Sequence, residues 1–321
     1  MVNNLDFKKQ DEFKSLRRKS RVSKCLFSHF GMCSSGVIKA HSIQNNRILR
    51  NISRNGKIIA FGSEGEFEEI GRKVATIFTG FCSKHDTEIF NPIENKDYVL
   101  GNREQEFLFA YRALCRELIA KEEARNIFRH LYEEKKISVQ DMHGNTWVDA
   151  EEIGLLDMNS IKKILDEKLM DKEFDSIETF SIAFDQDYKF AVSSIFNLEY
   201  DFNNQIVNNL ANIKDEMKPL FLTIFPQNNK TYVLFSYLKK HMEAYRFLKE
   251  QLLNSSFEDK TKKISLLITL YCENFVYSPE KWDELTLKDK EKFKFLFHTT
   301  IYQEKLNFMN LSPPINFFLL D

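Results

Sequence analysis

The sequence predicts an α+β fold in which a small, stapled N-terminal module precedes a helical segment and an antiparallel sheet flanked by helices. Three observations predict it. Residues 25–94 hold seven of the ten glycines, three of the five cysteines and three of the seven histidines, so this stretch is rich in turns and poor in core-forming side chains. A module of that kind needs a covalent or metal staple to fold. Beyond it, apolar residues recur at helical spacing from about residue 102 to 170, then alternate with polar ones from 178 to 237, the period of a strand. The divisions follow: a basic segment at 1–24, the module at 25–95, a helical segment at 100–172 and an α+β domain at 173–321.

The first element expected is a short basic helix, Asp6–Ser20. Short apolar patches separated by turn signals come next, at Val37-Ile38, Ile58–Phe61 and Val74–Phe81, with a hairpin among them. Asn91-Pro92 closes the module, because the residue before a proline is steered away from the helical region. Phe107, Leu108, Tyr111, Leu114, Cys115 and Leu118 then form one apolar helical stripe. Glu122–Lys135 and Asp149–Met170 are further helices, with a turn at Gly144-Asn145. Phe180, Ile182 and Phe184 alternate, as do Tyr188, Phe190 and Val192, and Asp185-Gln186-Asp187 between them predicts an antiparallel hairpin. Leu220–Phe225 and Thr231–Tyr237 predict a second pair. Helices are expected over Leu238–Leu253, over Lys260–Phe275 and from Leu287 to about Tyr302. The last is opened by a Thr286–Asp289 capping pair and preceded by a helix entry at Ser278-Pro279.

The formal net charge of −1 conceals +10 over residues 1–60 and −11 over the remainder. A uniformly basic coat is excluded, whereas a polyanion-binding end is suggested. Lys14, Arg17, Arg18, Lys19, Arg21, Lys24, Arg47 and Arg50 are the candidate nucleic-acid contacts. The 30 phenylalanines predict cores built largely on aromatic burial. No stretch supplies the roughly 20 apolar residues of a membrane span, and residues 1–24 carry charge throughout without the apolar centre of a secretory leader. A cytoplasmic setting without a membrane partner is expected. Five cysteines, an odd number without a small disulfide scaffold, then suggest metal ligands before disulfides.

The informative constellation is Cys25-x7-Cys33-x7-His41, followed after 40 residues by Cys82-x2-His85-Asp86. Cys-x2-His puts a thiolate and an imidazole within one helical turn, where both reach a single tetrahedral ion at about 2.0–2.3 Å. Gly80 lets the backbone bend into the site. Cys25, Cys33, Cys82 and His85 thus complete a Cys3His set suited to structural zinc. Cys115 and Cys272 sit in apolar helical stripes and read as ordinary buried thiols. His29, between the first two ligands, reads as a surface loop residue or an alternate ligand, and His130, His143, His241 and His298 have no acidic or thiol partner pattern.

Two upstream cysteines, Lys39-Ala40-His41-Ser42-Ile43-Gln44, and then Thr76-Ile77-Phe78-Thr79-Gly80-Phe81-Cys82-Ser83-Lys84-His85-Asp86 with Phe90 resemble the HNH (ββα-metal) endonuclease and treble-clef zinc fold. The same string is similar to a group of bacterial proteins with a cysteine-rich N-terminal module. The resemblance covers about residues 20–95. It implies a ββα arrangement, His41 as the general base that takes a proton from the attacking water, and Asp86 or His85 as the holder of a catalytic Mg2+ or Mn2+. It also implies a place in bacterial defence against phage and other mobile DNA. The chain departs from the family in two places: Ala40 stands where an Asp is frequent, and the central Asn has no counterpart near Thr79-Gly80. His41 therefore keeps two readings, catalytic base on one side and additional zinc ligand or structural hydrogen-bonding residue on the other. Two functions stay open with it, a metal-dependent nucleic-acid endonuclease and a non-catalytic zinc-finger adaptor for nucleic acid or a partner protein. The Phe-rich C-terminal domain is expected to sense, to recruit a protein partner or to self-associate; a third reading gives this acidic α+β region an activity of its own, under no nameable motif.

Overall fold

A computed structural model of the chain describes residues 12, 14–34, 36–62, 65–134, 145–212, 214–299 and 309–319. By contact the chain forms two compact units. One takes residues up to Ala40, Phe78–Ile89 and Leu114–Lys172; the other takes His41–Ile77, Phe90–Ala113 and the chain from Glu173. The units are interleaved along the sequence rather than consecutive. The architecture is α+β, with a metal-ligand cluster in the N-terminal region, helices and a large antiparallel sheet. No helix among the described residues is long and apolar enough to cross a membrane.

In the first unit, α1 covers residues 14–19 of the expected basic helix, and its earlier part lies outside the described residues. Leu16 is its buried residue, while Lys14, Arg17, Arg18 and Lys19 are exposed. The segment that follows is pinned, not loose. Asn126 donates to the Ser20 carbonyl at 3.2 Å, the Val22 amide donates to Glu123 at 3.1 Å, and Lys24 donates to Glu122 at 2.6 Å. The acceptors and donors on the far side belong to α4 (Arg103–Glu133), one continuous helix where two were expected. The unit also contains α5 (Asn145–Met170), and the expected turn at Gly144 lies outside the described residues.

α3 runs Ser83–Glu94 and carries Pro92 inside it, so the helix does not close at Asn91 as the proline predicts. A proline lacks only its own N–H and disfavours helical backbone at the residue before it. Here Phe90 and Ile93 are buried on the same helix, at 0% and 4% exposure, and their burial holds the last turn in place. β1 (Ala40–His41) and β4 (Ile77–Phe78) form a two-stranded sheet ahead of α3.

The second unit is organised by seven antiparallel strands: β2 (Lys57–Phe61), β3 (Phe67–Gly71), β5 (Ile177–Phe184), β6 (Phe190–Asn197), β7 (Pro219–Gln227), β8 (Lys230–Leu238) and β9 (Phe275–Tyr277). Their order is β3-β2-β9-β6-β7-β8-β5. The expected β7–β8 hairpin is present, with Gln227 opposite Lys230 across Asn228-Asn229. Two expectations are corrected. β5 does not pair with β6; it lies beside β8, and β6 pairs with β7 and β9. The connector after β5 is tied instead to the start of β8, where Thr231 donates to the Gln186 carbonyl at 2.8 Å and accepts from the Tyr188 amide at 2.9 Å. A first strand lying beside the fourth is a Greek-key connection. The second correction is at Phe275, expected as a helix end. α7 stops at Tyr271, and Phe275–Tyr277 enters the middle of the sheet between β2 and β6.

Both faces of this sheet are buried. One packs Val192, Leu220, Leu222, Val233 and Phe235 with Leu248 and Leu252 of α6 (Arg246–Leu253), Ile264 and Leu267 of α7 (Phe257–Tyr271), and Phe293 and Phe297 of α9 (Leu287–Thr299). The other packs Ala191, Phe225, Leu234 and Val276 with Ile48, Leu49, Ile52 and Tyr98. Ile48 and Leu49 come from a single π turn, Asn45–Leu49, in which the Leu49 amide donates to the Gln44 carbonyl at 3.0 Å; α2 (Arg50–Ile52) continues it. The caps fall where the sequence places them. Ser278 accepts from the Glu280 amide at the start of α8 (Pro279–Glu284), and Thr286 accepts from the Asp289 amide at 3.1 Å.

Candidate metal centre

The four ligands reach one point because two short pieces of backbone are laid side by side. The Leu26 amide donates to the Gly80 carbonyl at 2.8 Å, and the Ile38 amide donates to the Phe81 carbonyl at 2.9 Å, so the segment carrying Cys25 and Cys33 brackets the strand-like run into Cys82. Gly80 is required there for space: a Cβ would lie 2.7 Å from the Phe78 ring. Cys82 then precedes α3, and His85 sits in its first turn. The ligand atoms of Cys25, Cys33, Cys82 and His85 all lie within 4.8 Å of one another. Cys25 Sγ is 3.2 Å and Cys33 Sγ 3.8 Å from His85 Nδ1. Tetrahedral zinc with bonds of about 2.0–2.3 Å separates its ligands by about 3.5 Å, so this Cys3His cluster has the geometry of a structural zinc site. Phe27 packs edge-on against the His85 ring at 5.4 Å between centroids. Gly31 backs its other nitrogen, since a Cβ there would lie 3.4 Å from Nε2.

The electrostatics of the sulfurs favour a cation. Burial raises the Cys82 thiol, yet the backbone amides of His85 and Ser34 and the Ser34 hydroxyl donate to its sulfur, and it is held down to about 6. Cys33 is pushed up to about 11, by lost hydration first and then by the adjacent Cys25 and Cys82 sulfurs. One thiolate forms readily and repels the next, so a divalent ion is what lets all three ionise together. Ser34 is the residue that the sequence reading missed. It donates through its hydroxyl and amide to Cys82 and accepts the Lys84 amide at 3.1 Å, and nothing in a lone serine beside a cysteine marks that role.

No protein-family model matches this sequence, and no curated protein or solved structure is significantly similar to it. The site is therefore read from its own residues.

His41 is not among the four converging ligands. It ends β1 in the second unit, half-buried, with Nδ1 3.4 Å from Thr76 Oγ1. Burial lowers its imidazole below the ordinary value. A ring N–H to the Ala75 carbonyl and the charge of Glu94 oppose this, while Arg112 and Arg72 add to it. Arg112 lies over the Phe90 ring at 4.2 Å and is bonded to the Glu94 carboxylate. Arg72 donates to the Asn45 side chain at 2.7 Å. Asp86 is in the first turn of α3, half-buried, its amide donating to the Cys82 carbonyl at 2.9 Å.

The candidate polyanion contacts divide between the units. Lys14, Arg17, Arg18, Lys19, Arg21 and Lys24 are exposed in the first, Arg47 and Arg50 in the second. Lys19 pairs with Glu134 at 3.9 Å, Lys24 with Glu122 at 2.6 Å and Arg47 with Asp97 at 2.7 Å. Of the remaining histidines, His241 is buried, its Nε2 has no hydrogen-bond partner among the described residues, and burial lowers its imidazole. His143 lies outside the described residues. Cys115 and Cys272 are buried and lie outside the four-residue cluster.

Proposed function

We propose that this chain is a nucleic-acid-binding protein with an HNH-like, zinc-stapled N-terminal module that presents residues 14–24 to phosphates. The observation that carries the reading is the exposure of six cations on a segment pinned at Ser20, Val22 and Lys24 and ending at the first metal ligand, Cys25. A pinned cationic segment meets a phosphate backbone without first losing chain entropy. The Lys19–Glu134 pair is exposed on both sides, is worth little and exchanges readily for phosphate, whereas Lys24 is held by the buried Glu122. Binding to duplex DNA or RNA is expected to weaken linearly in log salt, and Arg18→Ala with Arg21→Ala to lower the slope by about 2. Binding absent at low salt, or indifferent to salt, would sink the proposal.

A second reading, metal-dependent endonuclease, is favoured by one specific observation. His41 ends a strand of a β-β-α series, and its burial favours the neutral imidazole, the form that a general base requires. Plasmid and RNA cleavage with Mg2+ or Mn2+, abolished by EDTA and by His41→Ala, supports it. Salt-sensitive binding without cleavage on any substrate supports the adaptor instead. Defence against phage would follow from the endonuclease reading, and a protein partner or self-association of the C-terminal part from the adaptor.

A further inference from the structure

We propose that Cys33 is an oxidation site, at which a peroxide converts the metal centre into a Cys25–Cys33 disulfide and expels the ion. The inference rests on the zinc reading of the four-residue cluster and goes beyond it.

The ligands are unequally protected. Cys82 is 1% and His85 3% exposed, Cys25 is half-buried and Cys33 is exposed. The turn that leads to Cys33, Ser28–Phe30, buries none of its residues, and Met32 beside it is 86% exposed. An aqueous oxidant therefore reaches one sulfur of the four-ligand set without any opening of the unit. The resolving thiol is at hand, since all four ligand atoms lie within 4.8 Å of one another.

Cys25 is favoured over Cys82 as that thiol by the backbone. Cys82 is bridged to Val37 and leads into α3, where the Asp86 amide bonds its carbonyl, so its Cα is fixed on both sides. Leu26 and Phe27 beside Cys25 are buried, so joining Cys25 to Cys33 asks only the exposed turn at residues 28–32 to adjust. The chemistry balances. The Cys33 thiolate attacks one peroxide oxygen, the O–O bond breaks, and a sulfenic acid and a hydroxide form. The Cys25 thiolate then attacks that sulfur and expels a second hydroxide. Two electrons pass from the two sulfurs to the peroxide, and Zn2+ leaves unchanged in oxidation state, having lost two of its donors.

The test uses the full chain as purified, its zinc first quantified by elemental analysis. Hydrogen peroxide is titrated in, released zinc is read with a chromogenic chelator, and thiols are alkylated before tryptic mapping. Trypsin leaves Cys25 and Cys33 together on residues 25–39 and Cys82 apart on residues 74–84. Zinc release that tracks a residue 25–39 peptide lighter by two hydrogens and closed to alkylation, with Cys82 still alkylated, is expected. Cys33→His, which keeps a nitrogen ligand and removes the exposed sulfur, is expected to need about tenfold more peroxide for the same release. Zinc retained through peroxide that oxidises free glutathione overturns the oxidation site and leaves the metal reading standing, as does a crosslink through Cys82. Protein that carries no zinc and takes none up overturns both.

Discussion

At the scale of single residues, the first unit depends on a buried charge that no motif announces. Lys162 of α5 donates to the Leu26 carbonyl at 2.8 Å and to Asp166 at 2.5 Å, and its side chain is 8% exposed. It ties a helix to the residue immediately after the first metal ligand. Lys162→Met takes the cation away from the buried Asp166 and is expected to cost about 3–5 kcal/mol in urea unfolding. Adding Asp166→Leu should recover most of that, because removing both charges also removes their desolvation. Two histidines set a pH dependence. Burial lowers both His41 and His241 below the ordinary 6.5. The unfolded chain thus binds protons that the folded chain refuses, and stability is expected to rise with pH through that region and to fall below about 6.5. His41 faces Glu94, Arg112 and Arg72, and His241 faces Glu216, Lys240 and Lys218. Stability against pH in the single His→Gln variants should show a shallower acid limb in each; an unchanged limb would mean that the burial is not maintained in solution.

At the scale of elements, turn chemistry was legible where a local rule applies. Asn228 and Asn229 both have positive φ, 52° and 58°, which is the backbone of a two-residue hairpin turn whose twist matches its strands. Asn229→Gly, which removes the Cβ from a left-handed position, is expected to stabilise the chain by about 0.5 kcal/mol in the same unfolding assay. The two caps, at Ser278 and Thr286, were legible for the same reason: their hydrogen bonds span two or three residues. β9 was not. Three residues following an apolar helix carry no periodicity of their own, and Phe275–Tyr277 is a strand because β2 and β6 stand on either side with unpaired backbone. Asn274, just before it, donates to the Ser193 carbonyl at 2.7 Å and to Ser42 at 3.0 Å, which fixes the entry of the strand. The β5–β6 hairpin failed likewise. Alternation identified both strands, but alternation says nothing about which neighbour a strand chooses.

At the scale of the molecule, the two units are held by different means. The sheet of the second has large apolar clusters on both faces, whereas residues 25–34 and 36–38 of the first bury only Leu26 and Phe27 and carry Cys25 and Cys33 to the cluster. A strong chelator is therefore expected to strip amide protection from residues 25–38 while β6, β7 and β8 keep theirs, read by hydrogen exchange. Equal loss in both regions would refute a staple that is local to the first unit. The asymmetry of charge also takes structural form: part of the positive end is met by Glu122 and Glu123 of α4 and by Glu134 just past its end, so the near-neutral total is partly realised as contacts within one unit.

The sequence by itself determined the metal ligands, the helix caps and the β7–β8 hairpin, because each depends on residue types at short, fixed spacing or on a side chain with a single good chemistry. Tertiary structure alone decided that His41 is not among the converging ligands, that the β2–β3 hairpin joins the seven-stranded sheet through β9, and that β5 lies beside β8. Those outcomes are set by competition among distant partners for backbone hydrogen bonds and apolar surface. The winner of such a competition is a property of the whole chain rather than of any segment.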